Sequence, residues 1–183
     1  MIALIIVLVV IVLIVLFLAS IYNGLVKLKN KVDNAWAQID VQLRRRYDLI
    51  PNLVNTVKGY AAHEQETLEK VITARNQGVN AQGPAEQAQA ENMISGALKN
   101  LFALSEAYPD LKANQNFLEL QEELTSTEDK ISYSRQFYND TVNRYNTKIQ
   151  TFPSVLVAGA LHYNAREYFE AEGDSRGPVT VQF

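Results

Sequence analysis

Twenty consecutive residues, Ile2 to Ile21, carry no charge, and Ser20 is their only polar side chain. A helix rises about 1.5 Å per residue, so this run covers roughly 30 Å, the thickness of a bilayer's hydrocarbon core. Leu, Ile and Val fill nearly all of it. In lipid the backbone must bond to itself, so a helix is the only single-segment solution. Residues 1–22 therefore read as a retained, single-pass transmembrane anchor. The competing reading is a cleaved signal peptide, which wants a basic start, a shorter apolar core and a small-x-small cleavage site. No Lys or Arg precedes the run, and Ala19-Ser20 is a poor cleavage signal. No Gly-x-x-x-Gly motif lies within it, so the best-known close-packing dimer signal is missing.

Orientation follows from the flanking charge. Lys27, Lys29 and Lys31 follow the run, and the positive-inside rule then puts the C-terminal domain in the cytoplasm and the N-terminus outside the cell membrane. The same lysines are candidate contacts to anionic lipid, each contributing on the order of 1 kcal/mol near the surface. A solvated helix stalk is compatible with the same residues.

The anchor changes how the composition reads. Of 183 residues, 48% are hydrophobic, yet every one of the 17 Lys+Arg and 20 Asp+Glu falls after the run. The remainder is therefore much more polar than the average. The net charge of -3 argues against a general nucleic-acid binder. The absence of cysteine excludes a disulfide framework, a Cys-ligated metal site and a thiol nucleophile. Charge is lopsided, with residues 23–60 net +4 and residues 61–183 net -7. That arrangement suits a module standing on an anionic leaflet, or head-to-tail packing of subunits.

Beyond the anchor, apolar residues recur at helical spacing. Leu25, Leu28, Val32, Trp36, Ile39, Leu43 and Tyr47 form one stripe. The spacing predicts a helix that ends near Asp48, with Arg44, Arg45 and Arg46 in its last turn and Pro51 in the first turn of the next. The stripe also continues through Ile50, Val54 and Val57, so a single helix kinked at Pro51 is the alternative. A second helix is expected from about Leu49 to Arg75, with Tyr60, Leu68, Val71 and Ile72 inward. Asn76 to Gly83 reads as a loop. A third helix runs from Pro84 to about Ala107 through Met93, Ile94, Leu98 and Leu101. Tyr108-Pro109-Asp110 breaks it. Asn114 or Asn116 caps a fourth helix that reaches about Phe152, and Pro153 closes it. Val155 to Leu161 is a short apolar helical turn. The expected fold is all-α: a transmembrane helix continuing into an antiparallel, up-and-down four-helix bundle over residues 23–153. A short helix and staple occupy 154–172, and a flexible tail 173–183.

Several strings in this chain are specific. They are NAWAQIDVQLRRRYDLIPNLVNTVKGYAAHE (34–64), YPDLKANQNF (108–117), TSTEDKI (125–131) and RQFYNDTVNRYNTKIQTFP (135–153). Through them nearly the whole chain, anchor included, closely resembles the LemA family. The resemblance implies a membrane helix followed by a cytoplasmic helical bundle. It brings no enzymatic activity, cofactor or established biochemical role. One departure is local: Leu161-His162-Tyr163 stands where relatives tend to carry a Gly-Phe pair.

Candidate sites are few. His63-Glu64 begins HEQET, but Thr67 stands where a zinc-protease helix needs its second His. The other histidine, His162, is about a hundred residues away, so an exposed helix face is the preferred reading over a His63/His162 metal site. Glu128, Arg135 and Asp140 interrupt the fourth helix near its apolar stripe and are candidate partners of Arg44, Arg45 and Arg46. Such a buried network would fix register, not perform chemistry. The neighbouring carboxylates Glu122-Glu123 and Glu128-Asp129 diverge on a helix surface and build no di-metal cage. Phe137, Tyr138, Tyr145, Phe152, Tyr163, Tyr168 and Phe169 are dense toward the C-terminus. Most read as core, with Tyr163, Tyr168 and Phe169 stapling the tail to the bundle or meeting another subunit. Val179, Val181 and Phe183 alternate with polar residues and suit a docking peptide of the kind that adds to a sheet edge.

No catalytic residue, cofactor, metal or small-molecule substrate is expected. The preferred function is a non-enzymatic, membrane-anchored helical scaffold that self-associates. One alternative is an adaptor that recruits a membrane protease or PDZ-type partner through its C-terminal tail. The other is an enzyme with a metal site in the bundle core.

Overall fold

The computed structural model describes residues 1–170, and no strand occurs among them. The elements are α1 (Ile2–Lys58), α2 (Gln65–Asn80), α3 (Gly83–Ser105), α4 (Pro109–Lys112), α5 (Gln115–Gln150) and α6 (Ser154–Ala160). They form two compact units. The proposed docking tail, Val179, Val181 and Phe183, lies outside the described residues.

The expected break at Asp48 does not occur. α1 continues through Pro51 to Lys58, and the chain turns at residues 59–64 instead. A proline inside a helix removes one hydrogen bond and strands the carbonyl four residues earlier. Here that carbonyl belongs to Tyr47, and the Arg75 Nε–H of α2 donates to it at 2.8 Å. The orphaned acceptor is thus satisfied by a neighbouring helix. Pro51 itself is exposed, so its ring meets little on that side.

Among the described residues, one unit comprises 41–132 and 168–170. Within it the C-terminal part of α1, α2, α3 and the first half of α5 are four helical segments. α2 and α3 are joined by Ala81 and Gln82 alone and pack side by side as an antiparallel pair, with Glu66, Thr73, Met93 and Asn100 lining a common groove. The loop expected at 76–83 is therefore mostly the last turn of α2. Gly83 takes the positive φ of 81° that the reversal needs, and the Gln82 N–H donates to Glu86 Oε2 at 2.9 Å. α5 starts at Asn114, whose Oδ1 accepts from the Phe117 N–H at 3.0 Å, so Asn114 is the cap. The core of this unit includes Leu43, Ile50, Leu53, Val57, Val71, Ile94, Leu101, Leu111 and Phe117. Tyr60, Ile72 and Met93, expected inward, are exposed instead. Tyr60 lies in the turn and accepts a hydrogen bond from Asn114 Nδ2 at 2.9 Å.

The other unit comprises residues 1–40 and 133–167. Here α1 and α5 run antiparallel, with the Trp36 and Tyr138 rings 5.4 Å apart. The first turns of α1 are bare: the apolar segment is wholly exposed, and α1 is long and apolar enough to cross a membrane. Burial begins at Ile21 and is complete at Leu25. Past α6 the chain is extended and lies back on α5. Tyr145 OH donates to the Asn164 carbonyl at 3.0 Å, and Tyr138 OH to the Glu167 carbonyl at 2.9 Å. Asn146 grips Arg166 twice, donating to its carbonyl at 2.9 Å and accepting from its N–H at 2.8 Å. Arg166 in turn reaches Asp33 at 2.9 Å. Replacing Asn146 with Ala strips both backbone groups of a half-buried segment at once. We expect Asn146→Ala to cost about 1–3 kcal/mol, read as early proteolytic nicking near Arg166 and a lowered urea midpoint.

Candidate functional site

The densest buried polar cluster sits in the unit of residues 41–132. Of the three consecutive arginines, Arg46 alone points inward, its side chain 2% exposed. The reason is angular: successive residues on a helix diverge by about 100°, and Arg46 falls between Leu43 and Ile50 at the three-and-four spacing of the buried stripe. Arg44 and Arg45 fall outside it and are exposed. Arg45 forms a surface pair with Glu123 at 2.6 Å.

Arg46 binds three groups on two helices. Its guanidinium lies 2.9 Å from Glu91 of α3, 2.8 Å from Glu128 of α5 and 2.8 Å from the Ser95 hydroxyl. Ser95 donates to the other oxygen of Glu128 at 3.0 Å. The second oxygen of Glu91 accepts from the Tyr47 hydroxyl and from Gln87 Nε2. Gln87 also donates to the Gly78 carbonyl of α2 at 3.2 Å. Four helical segments are thereby linked through one hydrogen-bonded cluster.

Electrostatics follow from this burial. Glu91 is raised above the ordinary carboxylate range, first because burial penalises its charge; Tyr47, Arg46 and Gln87 oppose that rise. Burial also pushes the Tyr47 hydroxyl well up, and the neighbouring Glu91 charge adds to it. Tyr47 is therefore a permanent donor at physiological pH, and Glu91 its acceptor.

Gly78 is required for the close approach. A Cβ at Gly78 would stand 2.7 Å from the Tyr47 hydroxyl and 3.0 Å from Ile94 Cδ1. The tyrosine ring is stiff and held by Glu91 and Gln87, so it yields poorly. We expect Gly78→Ala to destabilise by about 1–3 kcal/mol, the gain in helix propensity notwithstanding. Urea unfolding of the variant in detergent checks this.

The expected network is thus partly assembled. Arg46 and Glu128 come together, Arg45 pairs elsewhere, and Asp140 is exposed on α5 in the other unit. Arg44 and Arg135 each have an interaction partner. Glu91, Gln87, Tyr47 and Ser95 were missed by sequence reasoning. A signal was available for two of them: Gln87 and Glu91 occupy the stripe that continues as Ile94, Leu98 and Leu101. A carboxylate on a buried stripe demands a partner, and Arg46 on its own stripe is the matching cation.

The remaining candidates lie elsewhere. His63 is exposed in the turn after α1, not on a helix face, and His162 is exposed with φ 56°. Among the described residues no group of three or more His, Cys, Asp or Glu is placed to hold a metal ion. Lys27, Lys29 and Lys31 are exposed, Lys31 lying 5.7 Å from the Phe137 ring centre. Phe169 is buried and Tyr163 and Tyr168 partly so. Phe152, expected in the core, is 80% exposed, because α5 ends at Gln150 and the chain has already turned outward.

Comparison with known proteins adds a likeness. The model of the LemA family matches residues 35–183. Protein LemA of Metamycoplasma hominis is 32% identical over 161 residues, which is 86% of this chain and 72% of that protein. A magnetosome protein MamQ of Paramagnetospirillum magneticum is 24% identical over 184 residues, covering 86% of this chain and 68% of its own length. Magnetosome protein MamQ of Magnetospirillum gryphiswaldense is 23% identical with the same coverage.

Proposed function

This chain belongs to the LemA family, and from that premise we propose that it is a membrane-anchored, non-enzymatic helical scaffold that self-associates at the membrane. Its membrane association goes with an exposed apolar helix start and with the family. The scaffold reading rests on how the buried charge is used. Arg46 is 2% exposed, and its guanidinium binds two carboxylates and a hydroxyl from α3 and α5. A group so enclosed is unavailable to a substrate, and its work is to hold helices in register. Exposed apolar side chains, Leu118 and Val79 among them, offer surface for contact. Lys27, Lys29 and Lys31 favour a cytoplasmic face for the domain.

Extraction of the full chain in mild detergent, followed by light scattering of the sized peak, tests the proposal. A mass of two or more protein copies is expected. A strict monomer with no co-purifying protein would overturn it.

A further inference from the structure

α6 and the residue pair before it carry a feature that the scaffold reading leaves unused. Ser154 and Ala158 face inward and are buried, whereas Phe152, Leu156 and Leu161 are 80%, 66% and 48% exposed. The position of this patch is set by the pairing of α1 with α5. Trp36 meets Tyr138. Fourteen residues back along α1 is Tyr22, a climb of about 21 Å, and α5 climbs about 18 Å from Tyr138 to its end at Gln150, two residues before Phe152. Phe152 therefore stands level with the end of the bare apolar run. A cleft of about 490 Å³ confirms the level, since Tyr22 and Lys29 line it together with Tyr145 and Leu161.

Charge at this end is one-sided. No carboxylate occurs from Tyr22 to Val32 or from Thr141 to Arg166, while Lys27, Lys29, Arg144 and Lys148 fall in those stretches. An apolar patch reached by segments that hold cations and aromatics but no carboxylate, at the depth where a spanning helix leaves lipid, has the composition of an interfacial membrane element. A protein partner gives no reason for that depth or for the missing carboxylates.

We propose that α6 is a second membrane contact, with Phe152, Leu156 and Leu161 seated at the headgroup–acyl boundary of the leaflet that α1 leaves. This rests on the reading of α1 as a membrane span. The domain is then held to the bilayer at two points, which fixes its tilt and rotation about α1.

The chain contains no cysteine, so single thiols can be introduced and labelled without background. Full-length Phe152→Cys, Leu156→Cys, Leu13→Cys and Tyr133→Cys proteins carry an environment-sensitive NBD label in phosphatidylcholine–phosphatidylglycerol vesicles, with or without lipids brominated at shallow or deep acyl positions. Labels at 152 and 156 are expected to be blue-shifted, several-fold brighter than the label at 133, and quenched best by shallow bromines. The label at 13 is expected to be quenched best by deep bromines. Water-like emission at 152 and 156, with 13 still in lipid, overturns the α6 contact alone. Blue-shifted emission that no brominated lipid quenches shows the patch covered by protein, and overturns it too. A water-like label at 13 overturns the membrane span, and the α6 contact with it.

Discussion

Replacing Arg46 with Met is expected to destabilise the protein by about 3–5 kcal/mol, the loss typical of breaking a buried ion pair from one side. The methionine fills much of the volume, so the penalty comes chiefly from Glu91, left with a buried charge and no cation. Glu128 suffers less because it is partly exposed and reaches water. The pH dependence separates this cause from poor packing. In the folded protein the Glu91 carboxyl is raised, burial being the main reason, and loss of Arg46 raises it further. A raised carboxyl holds its proton where the unfolded chain has already lost its own. The folded state therefore gains on the unfolded one as pH falls through the folded value, and the penalty is complete above it. Urea midpoints of the full chain in mild detergent should show the largest deficit near neutral pH and a shrinking one toward acid. A second change, Glu91→Gln in the Arg46→Met background, should recover much of the loss at neutral pH and flatten its pH dependence. A deficit that is independent of pH would contradict the electrostatic account.

Val12→Arg should release the protein from membranes. Val12 lies mid-way along the uncharged run, and an arginine at the centre of a spanning helix costs about 2.5–3.5 kcal/mol on insertion scales. At about 1.4 kcal/mol per tenfold, that is roughly a hundredfold shift against insertion. Carbonate-resistant pelleting of vesicles carrying the variant measures it. The buried clusters lie elsewhere in the chain, so the helical signal of residues past Ile21 should be retained. Undiminished pelleting would contradict the transmembrane reading of α1.

The sequence made some features of the fold legible and hid others, for physical reasons. The apolar run and the helical stripes along α1, α3 and α5 show directly, since periodicity is a local property. Asn114 was readable as a cap because its partner, the Phe117 N–H, is three residues away. The end of α1 was not readable. Locally, Asp48 and Pro51 argue for a break, and what overrides them is a donor on another helix, Arg75. The cluster around Arg46 falls between these cases. Three adjacent arginines look alike in composition, and only the phase of the stripe distinguishes the inward one. Glu91 sits in phase with Ile94 and Leu98, but its five companions come from three separate segments, and no single window contains them.

The bond from Arg75 to the Tyr47 carbonyl also bears on the order of events during synthesis. The acceptor is translated first, and the donor arrives 28 residues later. At about 5–20 residues per second, the final turns of α1 wait for seconds with an acceptor that water alone can serve. A nascent chain stalled before Arg75 should accordingly show rapid amide exchange between Pro51 and Lys58, and one stalled well after Asn80 should not. The ribosome thus emits a helix whose last turns stay provisional until its neighbour has been made.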